Sequence, residues 1–489
     1  MKRFFCYLLL VVFVLGAFTG CAKKTATNTD AADKLELTFS FWEPGTEREL
    51  ETALAKVAAA YEEVNPNVKI KFLSQPVNGY QEWIQAQIAT DSVPDIQSNH
   101  FHILESQYLA DVVLDISDAY NSPNPYNDNQ IWKDTFEDGK VLQAHDYLYD
   151  AKFSVPFFGV ATAIYYNKDI YDKLGLTPPE TWNEFMANCA AIKEAGIAPV
   201  AFMAQKRDAI GWINTELVGG LVGQKLLEDP ELNFNGDSSI SNFESAKAKH
   251  TGHFDLKNNT ELRELYKIYL KHLEEYVQYC PNASGLDEAA AKAMFLSGNA
   301  AHIHTGSWDL KSFCDEEMTF KAATFPFPNF TKDNSPYAGI GLNPGAVQPL
   351  AVTSSALSSE GKKEAVIDFL MFFTSPKVYG DFAKEAYQVP VVKGVEGDEL
   401  FNGFIKDGRS AIHMFRSGAA SKAAFTFYNA EMAVIAGEKS ADDEKMIDQV
   451  SDSIRVLLQE VIDMGEMTPD NDFKVPTQPF LGEAVAPTR

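Results

Sequence analysis

A tryptophan at position 308 stands where the sequence changes from a strand pattern to a polar turn. Residues 294–310 read MFLSGNAAHIHTGSWDL, in which an apolar helix end, a Gly turn and a short strand precede the tryptophan. A large aromatic residue placed there either packs in a core, with its N–H bonded to backbone, or contacts a ligand. Ser307 and Asp309 give the ring polar neighbours, so we favour ligand contact for Trp308 and for Asp309.

Two histidine pairs have a spacing that can hold a metal ion. His100 with His102, and His302 with His304, each put two imidazoles on one side of an extended segment. The sequence fixes no carboxylate or thiol ligand beside either pair, and we predict no metal site. We interpret these histidines as half-buried polar residues near strand ends or as hydrogen-bond donors to a ligand, with His100 as a candidate contact.

The sequence lacks the motifs of several large enzyme classes. It contains no G-x-x-x-x-G-K-[ST], no G-x-G-x-x-G after a strand, no G-x-S-x-G and no C-x-x-C. The acidic pairs Glu62-Glu63 and Glu274-Glu275 lie in charged helical contexts, which favours solvated helix faces over an acid–base pair. We predict a protein with no cofactor and no catalytic residue.

The N-terminus has the pattern of an export signal. A positive start and the almost wholly apolar stretch 4–18 precede a small-residue run that ends at Cys21. This pattern resembles a bacterial lipoprotein signal, which is cleaved before Cys21 after lipidation of its thiol, although Phe18 replaces the preferred leucine. The alternatives are an ordinary secretory signal or an uncleaved anchor. We expect residues 1–20 to be removed and the polar residues 21–34 to form a flexible tether.

The charge balance limits the partners of the mature chain. Without residues 1–20, 40 basic residues remain against 68 acidic ones, which gives a net charge of −28. Such a balance argues against nucleic acid and against an anionic lipid surface as binding partners. It selects no substrate.

Three cysteines remain after the signal and the lipidation site, namely Cys189, Cys280 and Cys314. One disulfide with a spare thiol is an open alternative outside the cell. Because Cys189 lies on the predicted apolar face of a helix and no spacing indicates zinc, we favour buried thiols.

The stretch that begins the globular part alternates between strand and helix periodicity. Apolar residues alternate in 35–41, Thr46 and Glu49 form a capping-box pattern for an amphipathic helix, and 68–72 alternates again. Strand, helix and strand in this order indicate a parallel sheet. About 450 residues follow the tether, which predicts at least two domains.

A second unit of the same kind begins near Tyr165. Its strand is followed by a polar turn, two prolines and a helix for which Thr181 and Glu184 form a capping box. The predicted buried stripe of this helix is Trp182, Phe185, Cys189 and Ile192, and Gly196 is its predicted stop. The C-terminal part has helical spacing over 365–373 and 446–462.

Several of these segments carry a family resemblance. The lipobox, the tether, the strand end Phe41-Trp42-Glu43, the run VPFFGVATAIYYNKDIYDKLGLTPPETWNEF and the run MFLSGNAAHIHTGSW together resemble extracellular solute-binding lipoproteins of ABC importers. The group includes maltose-binding protein and its sugar-binding relatives. The resemblance spans nearly the whole mature chain.

The resemblance implies an α/β, two-lobe periplasmic-binding-protein-like fold with a helical C-terminal part. The chain crosses a hinge three times in such proteins, and by resemblance the crossings lie near residues 165–167, 300–303 and 344–349. Ligand binds between the lobes, in agreement with the rule that ligands lie at the carboxyl ends of strands. The expected lobes are 35–164 with 301–345 for lobe one, and 165–300 with 346–489 for lobe two.

The resemblance also implies ligand-contacting positions. Trp308 matches a tryptophan that stacks on the sugar, and the end of the first strand carries ligand contacts. Asn99 stands where a stacking aromatic follows the strand in maltose-binding protein, Trp212 matches a structural tryptophan, and Phe425 lies in the region of a second-lobe aromatic. The candidate ligand contacts are Trp42, Glu43, Thr46, Asn99, His100, Arg207, Asp208, Trp308, Asp309, Phe427 and Tyr428.

The expected protein is therefore a monomeric binding component that captures a carbohydrate between two lobes and delivers it to ABC permease subunits. It would lie on the extracellular face of the bacterial membrane, held by lipid on Cys21. Departures from the family pattern weigh against maltose itself and suit a different oligosaccharide or a smaller sugar. The alternatives are a binding protein for a non-sugar solute, such as a peptide, polyamine or metal complex, a surface-anchored glycan-acting enzyme, and an adhesin or sensor.

Overall fold

The structure is a computed structural model. It describes residues 34–43, 48–137, 151–233, 240, 248, 251–313, 318–339, 346–397, 399–404 and 422–463. Within these ranges no helix combines the length and the apolar character needed to cross a membrane. Cys21, Thr46 and Cys314 lie outside the described residues.

The described strands form two sheets. The strands are β1 (Leu35–Glu43), β2 (Val68–Pro76), β3 (Ile96–Ser98), β4 (Val155–Val160), β5 (Thr162–Asn167), β6 (Ala198–Ala201), β7 (Ala300–Gly306), β8 (Ala322–Phe325) and β9 (Ala346–Val352). Sheet one has the order β2-β1-β3-β9-β4, and sheet two has the order β6-β7-β5-β8. Both sheets are mixed, because β9 is antiparallel to its neighbours in sheet one and β5 is antiparallel to its neighbours in sheet two.

Helices cover both sheets. Those of the first part of the chain are α1 (Glu49–Val64), α2 (Tyr80–Ala89), α3 (Phe101–Leu109), α4 (Ser117–Tyr120), α5 (Lys168–Leu174), α6 (Trp182–Glu194) and α7 (Arg207–Leu227). The later ones are α8 (Thr260–Val277), α9 (Glu288–Leu296), α10 (Leu310–Phe313), α11 (Lys362–Phe373), α12 (Pro376–Glu385), α13 (Lys422–Ile435) and α14 (Glu444–Asp463). The two large apolar cores follow this division, one around each sheet.

Helix α6 forms as its sequence predicts. The Thr181 hydroxyl accepts a hydrogen bond from the Glu184 N–H, and the Glu184 carboxylate accepts one from the Thr181 N–H. This reciprocal capping box satisfies two backbone donors at the helix start. All four residues of the predicted stripe are buried, and Gly196 has a φ of 78°, which suits a helix stop.

Helix α1 begins differently from the expected capping box. Its N-cap is Arg48, which makes no capping hydrogen bond through its side chain. The Glu43 carboxylate instead accepts a hydrogen bond of 2.8 Å from the Glu51 N–H. The end of β1 is thus tied to the first turn of the helix that follows it.

The part of the chain that the structure describes shows three passages between the two halves. Strand β4 of sheet one and β5 of sheet two are separated by Ala161 alone, and the second passage lies between β8 and β9. The third lies between Val392, which belongs to the core of sheet one, and Phe401, which belongs to the other core.

The strand pairing corrects two of the expected lobe assignments. The resemblance places 301–345 in lobe one and 346–489 in lobe two. Strand β7 instead pairs with β5 and β6 in sheet two, and β9 pairs with β3 and β4 in sheet one. The expected crossing at 300–303 is therefore wrong, because these residues lie inside β7. Residues 165–167 likewise lie inside β5, a few residues after the first passage at Ala161, and 346–349 lie inside β9, which follows the second passage.

In both sheets the carboxyl ends of parallel strands lie toward the first passage. In sheet one β1, β3 and β4 run in the same direction, and β4 ends next to Ala161. In sheet two β6 and β7 are parallel, and Gly306 at the end of β7 pairs with Thr162 at the start of β5. The Ser307 N–H donates to the Ala161 carbonyl at 2.9 Å. Residues that follow the parallel strands of both sheets therefore face the region between the lobes.

Candidate functional site

Two tryptophans form an aromatic corner at this edge of sheet two. Trp308 lies in a 3-10 turn, Ser307–Asp309, directly after β7, and Trp212 lies in the second turn of α7. Their ring centroids are 4.9 Å apart, with 54° between the ring planes. Both side chains are partly exposed, and Trp212 also packs against the core of sheet two. Trp308, which was predicted to contact the ligand, thus follows β7 directly, and Trp212, which the resemblance marks as structural, lies beside it.

Gly306 provides the seat for the Trp308 ring. A Cβ atom added at Gly306 would lie 2.1 Å from two carbons of the indole, far inside van der Waals contact. The ring therefore lies directly against the glycine α-carbon, and no residue with a side chain fits there without moving the indole.

Asp309 is held by the protein itself. Its Oδ1 accepts from the Lys292 ammonium at 2.6 Å, and its Oδ2 accepts from the Thr305 hydroxyl at 2.7 Å. The residue is only 4% exposed. The predicted ligand contact is thus an anchor of the turn that carries Trp308, since both carboxylate oxygens have partners within the chain.

The corresponding edge of sheet one carries a second group of aromatic rings. Trp42, at the end of β1, lies 5.1 Å from the Tyr80 ring and 5.1 Å from the His100 ring. Trp42 is partly exposed and His100 is exposed, whereas Tyr80 is buried. Trp42 and His100 together present a ring surface next to Asn99, the position at which the expected aromatic residue is missing.

Asn99 itself is fully buried. Its Oδ1 accepts from the Gln81 side-chain amide at 2.7 Å and from the His100 N–H at 2.8 Å. These bonds fix the turn from β3 into α3, so Asn99 orients His100 by local hydrogen bonding.

Glu43 is also turned inward. Burial raises its pKa to about 7, the Glu51 N–H bond opposes that rise, and the nearby carboxylates of Glu51 and Glu49 add to it. Glu43 is 8% exposed, and Oε1 of the carboxylate that was predicted to accept from ligand hydroxyls accepts from the Glu51 N–H of α1.

The remaining candidates separate into surface and core positions. Arg207 is partly exposed and Asp208 is exposed in the first turn of α7, five and four residues before Trp212, respectively. The Tyr428 hydroxyl donates to the Ala204 carbonyl at 3.4 Å, which places Tyr428 beside the same turn. Phe427 is buried in the core of sheet two, with its ring 6.3 Å from that of Tyr266. The Phe425 side chain lies outside the described residues.

The histidines of β7 are fully buried rather than half-buried. The His302 ring bonds the Pro199 carbonyl and the Tyr171 hydroxyl, and burial lowers its pKa to about 4. The His304 Nε2 lies 3.0 Å from the Glu216 carboxylate, which also accepts from Thr162. Each imidazole thus has a structural partner, and no group of three or more potential metal ligands occurs within the described ranges.

A groove of about 1260 Å³ runs between α1 and α12 and reaches Lys311, three residues after Trp308. Neither tryptophan lines it, and an ion pair between Lys56 and Glu385 spans it. We interpret it as a groove between packed helices and place the candidate site at the aromatic edges.

Two mixed α/β halves with three connecting passages, and with polar and aromatic residues along the facing strand ends, define a two-lobe binding protein of the periplasmic type. Residues 44–380 match the family described as bacterial extracellular solute-binding protein, and the chain belongs to this family. It is a family of binding proteins, and the chain is accordingly not an enzyme.

Comparison with known proteins agrees with this assignment. The multiple sugar-binding protein of Streptococcus mutans is 22% identical over 393 residues, 80% of this chain and 83% of that protein. The melibiose/raffinose/stachyose-binding protein MelE of Bacillus subtilis is 27% identical over 190 residues, 38% of this chain and 40% of MelE. The apo structure of RafE from Streptococcus pneumoniae has a TM-score of 0.65 at 19% identity, covering 88% of this chain and 100% of that chain.

Proposed function

We propose that this protein is the substrate-binding component of an ABC importer and that its ligand is an oligosaccharide held between the two lobes. The aromatic corner of Trp212 and Trp308 is the observation that carries the proposal. Sugar rings have an apolar C–H face that stacks on an aromatic ring, and charged side chains bind the hydroxyl groups around it. Lys206, Arg207 and Asp208 lie beside the corner and supply such groups.

The names of the relatives support an oligosaccharide. The Streptococcus mutans relative is a multiple sugar-binding protein, MelE is named for melibiose, raffinose and stachyose, and one RafE structure contains raffinose. We propose that Trp42 and His100 of lobe one contact the ligand from the other side, together with Thr46, and that Tyr428 completes the lobe-two surface. Glu43, Asn99, Asp309 and Phe427 support the site from within, since each is buried.

The mechanism is capture and release. The open protein binds sugar on one lobe, closure about the three passages buries it, and the closed form docks on the membrane permease. The ligand-bound state is selected by its contacts with both lobes, so the aromatic surfaces of both edges contribute to closure.

A thermal-shift screen tests the proposed ligand class. The globular part, from Leu35 onward, is heated with mono- and oligosaccharides and, separately, with polyamines, peptides and divalent metals. A ligand that binds only the folded state raises the melting temperature by mass action. We expect a rise with an oligosaccharide. A rise with another class alone would show that the sugar proposal is wrong.

We also propose that the protein is held at the extracellular face of the membrane by lipid on Cys21. The apolar stretch 4–18 and the small residues before Cys21 support this. Mass spectrometry of the N-terminal peptide from native membranes should show a diacylglyceryl group on Cys21, and Cys21→Ala should release the protein. An unmodified cysteine in the mature protein would refute the anchor.

A further inference from the structure

Four residues of alternating charge form a series of ion pairs beside the aromatic corner. The Lys206 ammonium lies 2.6 Å from Glu288 Oε2, and Glu288 Oε1 lies 2.8 Å from the Lys292 ammonium. Lys292 in turn donates to Asp309 at 2.6 Å. The series joins three separate segments: the turn before α7, the helix α9, and the turn that carries Trp308.

One end of this series of ion pairs contacts Trp212, and the other end is the residue that follows Trp308. The Lys206 ammonium lies over the Trp212 ring, 5.3 Å from its centroid. At the other end Asp309 directly follows Trp308 in the 3-10 turn and also accepts from Thr305. The Trp212 ring and the turn that carries Trp308 are therefore connected through these ion pairs.

We propose that Lys292 is a positioning residue of the ligand site, which sets the Trp212–Trp308 corner through its bonds to Glu288 and Asp309 and so determines affinity for the sugar. This proposal rests on the proposed function in so far as the ligand is a sugar. Lys292 acts through its two acidic partners and is not itself a ligand contact.

The position of Lys292 in the series makes it the critical link. Of the four charged residues, Lys292 is the one that bonds two acids: Glu288 on α9 and Asp309 in the turn that carries Trp308. Without Lys292, the nearly buried Asp309 carboxylate would lose its ion pair and keep its hydrogen bond from the Thr305 hydroxyl. A buried charge without its charged partner is costly, so the turn around Asp309 should rearrange. Burial alone would lower the pKa of Lys292, yet Asp309 and Glu288 hold it above its ordinary value, so the ammonium stays charged.

The local sequence supports a dedicated arrangement. Glu288 and Lys292 are four residues apart on α9, with the acid nearer the N-terminus, which is the favourable order for a helical ion pair. Helix α9 leads directly into β7, and β7 leads to Trp308. The lysine is thus on the element that delivers the tryptophan to the site.

The test compares Lys292→Met with a matched lysine and a conservative replacement. Lys267→Met is the control, because Lys267 also bonds two acids, Glu264 and Glu444, in the same half of the molecule. Lys292→Arg keeps a charge that can bridge Glu288 and Asp309. For each protein we would measure the Kd for the saccharide found in the thermal-shift screen, the near-ultraviolet circular dichroism of the ligand-free protein and the melting temperature.

We expect Lys292→Met to weaken binding by about tenfold or more, since coupled charge networks contribute on that scale. We also expect the near-ultraviolet circular dichroism of the ligand-free protein to change, because this signal depends on the angle between neighbouring indole rings. Lys267→Met should leave both the Kd and the tryptophan signal unchanged, and Lys292→Arg should restore most of the affinity.

Wild-type affinity in Lys292→Met would overturn the proposal, as would a loss of affinity with an unchanged tryptophan signal. An equal loss of affinity in Lys267→Met would show a general effect of destabilisation and would also overturn it. If no saccharide binds the wild-type protein, the proposed function fails, but the ligand-free spectrum of Lys292→Met still decides whether Lys292 positions the corner.

Discussion

At the scale of single residues, the proposed site depends on side chains whose contacts differ from what their types suggest. Asp309 and Asn99 were natural candidates for binding hydroxyl groups, yet both are bonded to neighbouring groups of the protein. Trp212, identified by resemblance as structural, lies 4.9 Å from Trp308 at the exposed edge. In the proposed site the partly exposed rings of Trp212 and Trp308 form the surface, and Asp309 holds the turn that carries Trp308.

Replacing Gly306 should disturb the ligand site more than the fold. In Gly306→Ala the new methyl group would lie within 2.1 Å of the Trp308 ring and must displace it. We expect at least a tenfold loss of sugar affinity, of the order of 1.4 kcal/mol, measured by isothermal titration calorimetry.

Gly380→Ala is the matched control for this substitution. The nearest atom to a Cβ at Gly380 is 3.7 Å away, an ordinary contact, and the residue lies in a helix where alanine is favoured. Sugar affinity should be unchanged in Gly380→Ala. Unchanged affinity in Gly306→Ala as well would show that the seat of the Trp308 ring does not govern binding.

The buried Glu43 predicts a pH-dependent stability. Burial raises its pKa from the ordinary value of 4.5 to about 7, so between these values the folded protein holds a proton that the unfolded chain releases. The contribution of Glu43 is fully present below pH 4.5 and is lost as the pH rises toward 7. The free energy of unfolding of wild type, relative to Glu43→Gln, should therefore fall by up to roughly 3 kcal/mol between pH 4.5 and 8.

Denaturant unfolding of the two proteins at several pH values provides the measurement. The glutamine keeps an oxygen that can accept from the Glu51 N–H but does not titrate, so the difference between the proteins isolates one group. A difference that stays constant from pH 4.5 to 8 would contradict the assignment of a protonated Glu43 in the folded state.

At the scale of secondary-structure elements, local signals were sufficient where the determinants are local. The strand β1, the helix α6 and its Thr181–Glu184 cap follow from periodicity and from side chains three residues apart. The expected helices 365–373 and 446–462 lie within α11 and α14. Such features need no knowledge of the rest of the chain.

Features that depend on distant segments were not predictable in this way. Strands β7 and β9 read as similar apolar runs, and their sheet membership is decided by partners more than a hundred residues away. The ion pair of Lys292 with Asp309 depends on how α9 packs beside the end of β7, although its Glu288–Lys292 half was visible as a spacing of four. The contact of the Trp308 ring with Gly306 is local, but it depends on the backbone conformation of the turn, which the residue types alone do not give.

Helix α7 is held against the segment after β8 at a glycine. A Cβ at Gly220 would lie 2.4 Å from the Phe330 ring, which itself packs 5.0 Å from Trp182. We expect Gly220→Ala to reduce the free energy of unfolding by roughly 1–3 kcal/mol through overpacking, despite the better helix propensity of alanine. Urea unfolding checks this value.

The same Gly380→Ala variant serves as its control, because that site has room for a methyl group. A Gly220→Ala protein as stable as Gly380→Ala would show that Phe330 moves aside freely, which would contradict the tight packing of α7.

At the scale of the whole molecule, three passages connect two halves that each have their own sheet and core. We propose that residues near Ala161, between β8 and β9, and between Val392 and Phe401 form the hinge. Strand β4 is also bonded to the segment just before the third passage, since the Gly159 N–H donates to the Val389 carbonyl at 2.8 Å. Adjacent passages allow one half to rotate against the other as a rigid body.

Closure should be visible in solution. The radius of gyration from small-angle X-ray scattering is expected to fall when the saccharide identified by thermal shift is added to the wild-type protein. A saccharide that does not raise the melting temperature should leave the radius unchanged. Binding without any change in the radius would contradict closure as the mechanism of capture.

The central claim is that Trp308 stacks on a sugar between the lobes, and calorimetric titration of wild type and Trp308→Ala with that sugar tests it most directly. Buried aromatic anchors of a binding site typically contribute about 2 kcal/mol or more, which corresponds to roughly a 30-fold change in Kd. We predict at least this loss in Trp308→Ala, with a melting temperature of the ligand-free variant close to that of wild type. Equal affinity of the two proteins for the sugar would contradict the claim.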